Sequence, residues 1–277
     1  MAKPRSTPAR VKTAPKLLVI LSDLHCGSDV GLLPEKVTLD DGQMLGHGEN
    51  PWQKWLWGEW LQMKEWVESV CSGDDFSTLI NGDAIEGVHH KSDEIMAAKI
   101  LEHCTIAKTA LAPLIDAAHT VYATRGTECH TRDLETYLMR SMGRDKARDF
   151  LQFSFNGVMV DARHHIPTSG RVHLEASALS IIAANNRSNA VRCGHEPARI
   201  FLRGHRHVPG TYSDGHVMVA VTGAWQGLTR WARQAVADSI PRPSCLILDA
   251  RNTPYGSLPS IHHRVFNPPQ HLVSHIC

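Results

Sequence analysis

Asp23 and His25, one residue apart in the stretch Ser22-Asp23-Leu24-His25-Cys26-Gly27, offer an oxygen and a nitrogen to a common target. The apolar run Leu17-Leu18-Val19-Ile20-Leu21 before them reads as a strand, and alternate side chains of a strand share a face. Carboxylate oxygen and imidazole nitrogen are both donors to divalent transition metals, so the pair has metal-ligand chemistry. Alone it could equally start a turn. Four further segments repeat the pattern of an apolar run followed by ionisable or polar residues: Asn81-Gly82-Asp83, Gly126-Thr127-Glu128-Cys129-His130, His164-His165 and Gly204-His205-Arg206-His207. Any one of them could be a turn, a helix cap or a satisfied core histidine. Five in succession at comparable positions favour convergence, because ligands in α/β sheets gather beyond the carboxyl ends of the strands. In His205-x-His207 two imidazoles share a face and Arg206 points away.

The hydrophobic pattern supplies the elements that must carry these residues. Pro51 sits at a helix start, and Trp52, Trp55, Leu56, Trp60, Met63, Val67 and Val70 follow at helical spacing. Lys54, Glu59, Lys64 and Glu68 occupy the other face, so the aromatic stripe reads as packing on a sheet, not as a surface for stacking bases. Strands are expected over Phe76 to Ile80 and Thr120 to Thr124, and helices over Asp93 to Ala112 and Asp133 to Met142. Phe153-Ser154-Phe155, Asn156-Gly157 and Val158-Met159-Val160 form a hairpin whose second arm delivers His164 and His165. A helix over Ser177 to Ala184 and strands over Ala198 to Leu202, His216 to Thr222 and Ser244 to Leu248 complete the pattern. The expected organisation is a disordered basic leader over residues 1–16, one domain over 17–250 and an irregular surface tail over 251–277.

Composition narrows the function. A chain of 277 residues buries a full core, and a net charge of +1 argues against a global field that recruits nucleic acid or membrane. The unusual feature is 18 histidines, several of them paired, as in His89-His90 and His262-His263; clustered histidines suggest metal. The 7 cysteines include no C-x-x-C pair and read as reduced thiols. No apolar segment resembles a signal peptide or is long enough to span a bilayer, so a cytoplasmic protein is expected.

Asp23-x-His25, Gly82-Asp83 and Gly204-His205-x-His207, in this order between about Leu17 and about Ala250, resemble the ordered motifs of the calcineurin-like metallophosphoesterases. The resemblance implies an α/β fold, a four-layer αββα sandwich of two mixed β-sheets flanked by helices. It also implies two divalent transition-metal ions. Asp23, His25 and His207 would hold the first, Asp83 would bridge, and His205 with His164 or His165 would hold the second. The family usually carries Gly-Asn-His where this chain reads Gly126-Thr127-Glu128-Cys129-His130, with one residue inserted. We align Glu128 with the ligand Asn and His130 with the acid near the leaving group; Thr127 as ligand is the competing alignment. The variant motif is similar to those of viral and prophage relatives.

The implied activity is hydrolysis of a phosphoester, with a phosphodiester or nucleotide weakly preferred. Two cations about 3.5–4 Å apart lower the pKa of a shared water and neutralise the transferring oxygens. Asp83 suits bridging, and a His130 imidazole suits proton donation. The donor set accommodates Mn, Fe, Zn or Ni, with Mn favoured. His89 and His90 line the substrate pocket or a loop, Arg206 meets a substrate phosphate or a structural carboxylate, and Trp225 walls the cleft or packs the core. A nuclease, with nucleic acid as substrate, is the alternative enzyme; its binding would depend steeply on salt. A non-catalytic metal-binding scaffold of the same fold is the alternative outside enzymes.

Overall fold

A computed structural model describes residues 14–48, 50–89, 93–131, 133–166, 175–235 and 240–274. Most of the expected leader, and His90, lie outside the described residues. In chain order come β1 (Leu17–Leu21), a small hairpin of β2 (Val37–Thr38) and β3 (Met44–Leu45), α1 (Pro51–Cys71) and β4 (Ser77–Asn81). Next are α2 (Ile100–Ala117), β5 (Thr120–Thr124), α3 (Glu128–Thr131), α4 (Leu134–Ser141) and the hairpin β6 (Leu151–Phe155) and β7 (Val158–Ala162). The chain continues through α5 (Glu175–Cys193), β8 (Ile200–Arg203), β9 (Gly210–Ser213), β10 (Met218–Val221), α6 (Arg230–Ala235), β11 (Ser244–Asp249), β12 (Ser260–Val265) and α7 (Gln270–Ser274).

Alternation along the fully buried β1 separates two apolar compartments. Leu18 and Ile20 face one core, Leu17, Val19 and Leu21 the other. One five-stranded sheet has the order β12-β11-β1-β4-β5, with β1, β4 and β5 parallel and β11 and β12 antiparallel. The other has the order β6-β7-β8-β10-β9, with β7, β8 and β10 parallel. Leu18, Ile20, Leu79, Leu246 and Leu248 from the first meet Val158, Val160, Ile200, Leu202 and Ala220 from the second in the inner core. The outer face of the first sheet packs against α1, α2 and α4, and that of the second against Leu179 and Ala183 of α5. This is the expected four-layer αββα sandwich. The tryptophan stripe of α1 belongs to its core: Trp60 is fully buried, edge-on to Trp225 at 4.9 Å.

Several elements differ from the sequence reading. The helix expected from Asp93 begins at Ile100, because the segment before it spends its backbone on the first site loop: Asp29 N–H donates to Glu94 O at 3.2 Å and Met96 N–H to Gly27 O at 2.8 Å. Helix α5 extends to Cys193, and β9 was not anticipated. The stretch from Arg251, expected to be irregular, contains β12, an edge strand paired with β11 from Ser260↔Asp249 to Val265↔Ser244. Its His262-His263-Arg264 sequence hides the strand, since an edge strand tolerates polar side chains that a central strand does not.

His263 on β12 makes stability depend on pH. Burial, with the charge of Arg242, pushes its imidazole from 6.5 down to about 4. The unfolded chain therefore takes up a proton below pH 6.5 that the folded protein refuses. The stability tied to this group is whole above pH 6.5 and is lost as pH falls toward 4, on the order of 1–2 kcal/mol by pH 5. Urea midpoints at pH 7 and pH 5 should differ less in His263→Gln than in the wild type; identical slopes would count against this account.

Candidate metal centre

Of the seven described non-glycine residues with left-handed backbone, five collect at one place, Ser72 and Asn156 lying elsewhere. Among the described residues, Asp23, His25, Asp83, His205 and His207 have φ of 54°, 47°, 50°, 70° and 61°, a left-handed region that residues with a Cβ rarely adopt. Asp23 and His25 thus do not owe their common direction to strand alternation. Strand β1 ends at Leu21, and left-handed turns re-aim each side chain. Gly82, at φ 82°, permits the close approach behind them: a Cβ there would lie 2.5 Å from the His164 ring.

These turns follow β1, β4 and β8, while Thr127 follows β5 and His164 follows β7, so the strand ends of both sheets face one another. Three donor groups result, Asp23 with His25 and His207, Asp83 with His164 and His205, and His25 with Glu86 and His130; within each, the ligand atoms lie within 4.8 Å of one another. The first two enclose the carboxylates at the strand ends. His25 Nε2 is 3.2 Å from His207 Nε2, and His207 Nε2 is 3.5 Å from Asp23 Oδ1. His164 Nε2 is 2.9 Å from Asp83 Oδ2 and 3.8 Å from Asp23 Oδ1. Asp83 Oδ2 is also 4.0 Å from His25 Nε2, which sets Asp83 between the first two groups. Asp23 accepts the Ser22 hydroxyl and, at 3.1 Å on both oxygens, the His205 N–H.

Hydrogen bonds fix the imidazole tautomers. His164 Nδ1 lies 2.8 Å from the Asn81 carbonyl; a carbonyl only accepts, so Nδ1 carries the proton and Nε2 faces the carboxylates. His25 Nδ1 lies 2.7 Å from Glu86 Oε2, again turning Nε2 inward. A carboxylate or carbonyl behind a histidine in this way is the usual support of a metal-binding imidazole. Asp23, Asp83, His25 and His164 are all buried.

The electrostatics suit a cation. Burial pushes the Asp23 carboxyl up, against the pull of His164. Burial would also raise Asp83, but the charge and hydrogen bond of His164, with His25 and His130, hold it well below the usual range. His164 is lifted against burial to about 10 by Asp83 and Asp23, and His25 to about 8, chiefly by Glu86. Burial and the neighbouring imidazoles lower His205 to about 4, leaving it a neutral donor. A buried carboxylate pair balanced only by protons on histidines is a set whose protons a dication displaces. The donors therefore fit divalent transition metals.

The remaining expected site residues divide. Glu128 is exposed and outside all three groups. Thr127 instead meets Asp83: its N–H donates to Oδ1 at 2.7 Å and its hydroxyl to Oδ2 at 3.0 Å, with His205 Nδ1 3.2 Å from that hydroxyl. Glu128, the expected ligand, is turned outward because α3 begins there, while Thr127, whose carbonyl accepts the His130 N–H, faces the site. His165 is exposed, its ring 4.6 Å from that of His205, and His164 occupies the interior. His130 stands at the rim, 5.0 Å from the His25 ring and 4.0 Å from the His89 ring. His130 Nδ1 is 2.9 Å from the Glu86 carbonyl, so Nε2 is the atom left for chemistry. Arg206 is half-buried, and Trp225 is core, its backbone N–H donating to Asp23 O at 2.8 Å and its indole N–H to Ser244 O at 3.3 Å.

Glu86 and Gln226 were missed. Glu86 takes His25 and, at 2.9 Å, the Gln226 amide on Oε2, and His89 at 2.8 Å on Oε1. The position of Glu86 three residues after Asp83 was the available signal. Thr127→Val should weaken binding of a metal beside Asp83 several-fold, whereas Glu128→Ala should leave metal affinity within about 2-fold of wild type. Titration of both variants with Mn, followed by calorimetry, checks the pair, and the opposite ranking would restore Glu128.

No protein-family model matches the chain, and no curated protein matches it. Solved structures that it resembles include an archaeal phosphodiesterase, at 12% identity and TM-score 0.45, covering 90% of this chain and 99% of the other. Vps29 of Entamoeba histolytica complexed with Zn2+ aligns at 12% identity and TM-score 0.42, covering 91% and 99%. A predicted phosphoesterase from Streptococcus pneumoniae aligns at 13% identity and TM-score 0.36, again covering 91% and 99%. Likeness this distant says nothing of what this chain does.

Proposed function

We propose that the chain is a binuclear metal-dependent phosphoesterase whose substrate is a phosphodiester or a nucleotide-type compound. The observation that carries this reading is the tautomer arrangement: His25 and His164 each commit Nδ1 to a buried acceptor and aim Nε2 at the Asp23 and Asp83 carboxylates. Asp23, His25 and His207 would hold one ion and Asp83, His164 and His205 the other, with Asp83 reaching both and Thr127 beside the second. Two divalent ions held there would supply a lowered pKa for water and neutralise charge on the transferring phosphoryl oxygens. The chain's own residues do the rest. Thr127 fixes the direction of both Asp83 oxygens, and Glu86 fixes that of His25. His130, at the rim with Nε2 outward from its carbonyl partner, delivers a proton to the leaving oxygen when doubly protonated. His89 and Arg206 are the groups to meet substrate anions. Manganese is the first metal to test.

Removing metal tests the reading directly. Exhaustive chelation should abolish hydrolysis of bis(p-nitrophenyl) phosphate, and two equivalents of Mn2+ per chain should restore it. Activity that survives complete chelation, or a chain that binds no ion in equilibrium dialysis, would sink it.

A further inference from the structure

We infer that Glu135 is a positioning residue for the second half of this centre: its buried carboxylate clamps the loops after β4 and β5 so that Asp83 and Thr127 meet. The inference rests on the binuclear reading above. Glu135 lies in the first turn of α4, 2% exposed. Its Oε1 accepts the Ala84 N–H at 3.1 Å and its Oε2 the Gly126 N–H at 2.6 Å. Ala84 follows Asp83 and Gly126 precedes Thr127, so one carboxylate grips the neighbour of each.

The need for such a clamp follows from the sheet. The parallel ladder between β4 and β5 ends at the pair Asn81↔Thr124. Beyond it no ladder bond holds residues 82–84 to 125–127, yet the N–H groups there require acceptors. Glu135 supplies them from outside the sheet. The approach it enforces is close: a Cβ on Gly126 would collide with Asp83 Oδ1 and with the Asp83 backbone. Across the clamped gap the Thr127 N–H and hydroxyl donate to the two Asp83 oxygens at 2.7 and 3.0 Å. A glutamine could not replace Glu135, since one of its two termini would present a donor to a donor.

The first loop is joined to residues 82–84 through the Asp23, His25 and Cys26 N–H groups, which donate to the Gly82, Asp83 and Ala84 carbonyls at 3.0, 3.0 and 3.2 Å, so without Glu135 those residues stay with the first half while 125–127 is released. Asp23 is fixed by Ser22 and by the His205 N–H, and His25 by Glu86. Loss of Glu135 should therefore act unequally on the two ions, which a general loss of stability would not do.

The test is Mn2+ titration of Glu135→Gln beside wild type, below the unfolding temperature of both, with low-temperature electron paramagnetic resonance to distinguish a spin-coupled ion pair from an isolated ion. Affinity for the second ion should fall about 10- to 100-fold, that for the first should stay within about 3-fold, and an isolated-ion spectrum should replace the coupled one at concentrations that fill both wild-type sites. With substrate, kcat should fall more than KM rises. A coupled spectrum at wild-type concentrations, or equal losses at both ions, overturns the inference. Should Glu135→Gln not fold, Glu135→Asp keeps the carboxyl group but retracts it by one methylene; an unchanged second-ion affinity in that variant overturns it equally. A wild-type chain that takes up only one ion overturns the binuclear reading instead, and this inference with it.

Discussion

Under the proposed phosphoesterase function, Asp83→Asn is expected to lower phosphodiester hydrolysis about 10²- to 10⁴-fold, the rate equivalent of the 3–5 kcal/mol that loss of one partner from a buried charged pair typically costs. The substitution keeps the shape and removes the charge. Asp83 is 1% exposed, with Oδ2 2.9 Å from His164 Nε2 and Oδ1 2.7 Å from the Thr127 nitrogen. An amide in its place offers one acceptor where two donors now bind. It also deprives His164 of the first of the charges that lift it to about 10, so at neutral pH the metal-free variant holds that proton less firmly. Metal content should drop from two ions toward one, and elemental analysis beside initial rates reads both effects. Wild-type rates with wild-type metal content would remove Asp83 from the site.

Glu86→Gln should carry the second-largest effect, a loss of about 10- to 100-fold in affinity for the ion held by Asp23, His25 and His207. Glu86 accepts from His25, His89 and Gln226 on its two oxygens. A glutamine must present an N–H to at least one of these donors, which releases or rotates the His25 ring. The metal-free protein offers a second readout. His25 is raised from 6.5 to about 8, with Glu86 the leading cause against burial. Its stabilising contribution is therefore complete below pH 6.5 and is lost as pH rises through 8. Metal-free wild type should lose stability over that window, and Glu86→Gln should show a flatter profile. A variant with unaltered Mn2+ affinity would show that Glu86 does not support His25. The two carboxylates behind the centre are then separable, Glu86 acting on the first ion and Glu135 on the second.

Residue types and their order already carried much of this centre. Asp23, His25, Asp83, His205 and His207 each follow an apolar run, and a run of buried strand residues is legible because burial on both faces leaves no polar position in it, as in Leu17–Leu21 and Met218–Val221. The chain order of the strands was enough to place their ends together, since parallel neighbours share a carboxyl edge. The α1 stripe was legible for a similar reason: period and burial coincide along Trp52, Leu56, Trp60, Met63 and Val67.

Only the tertiary structure decided between neighbours. His164 and His165 differ by one position, and so do Thr127 and Glu128, yet one of each pair is turned to the interior. Local pattern cannot choose, because the direction of a side chain in a loop depends on φ, and the left-handed values at Asp23, His25, Asp83, His205 and His207 persist only where surrounding contacts hold them. Glu86 and Glu135 were hidden for a related reason. Each acts through donors contributed by distant parts of the chain, Gln226 for the first and the turns beside Asp83 and Thr127 for the second. A carboxylate's purpose is set by which donors surround it, and folding alone brings those donors together.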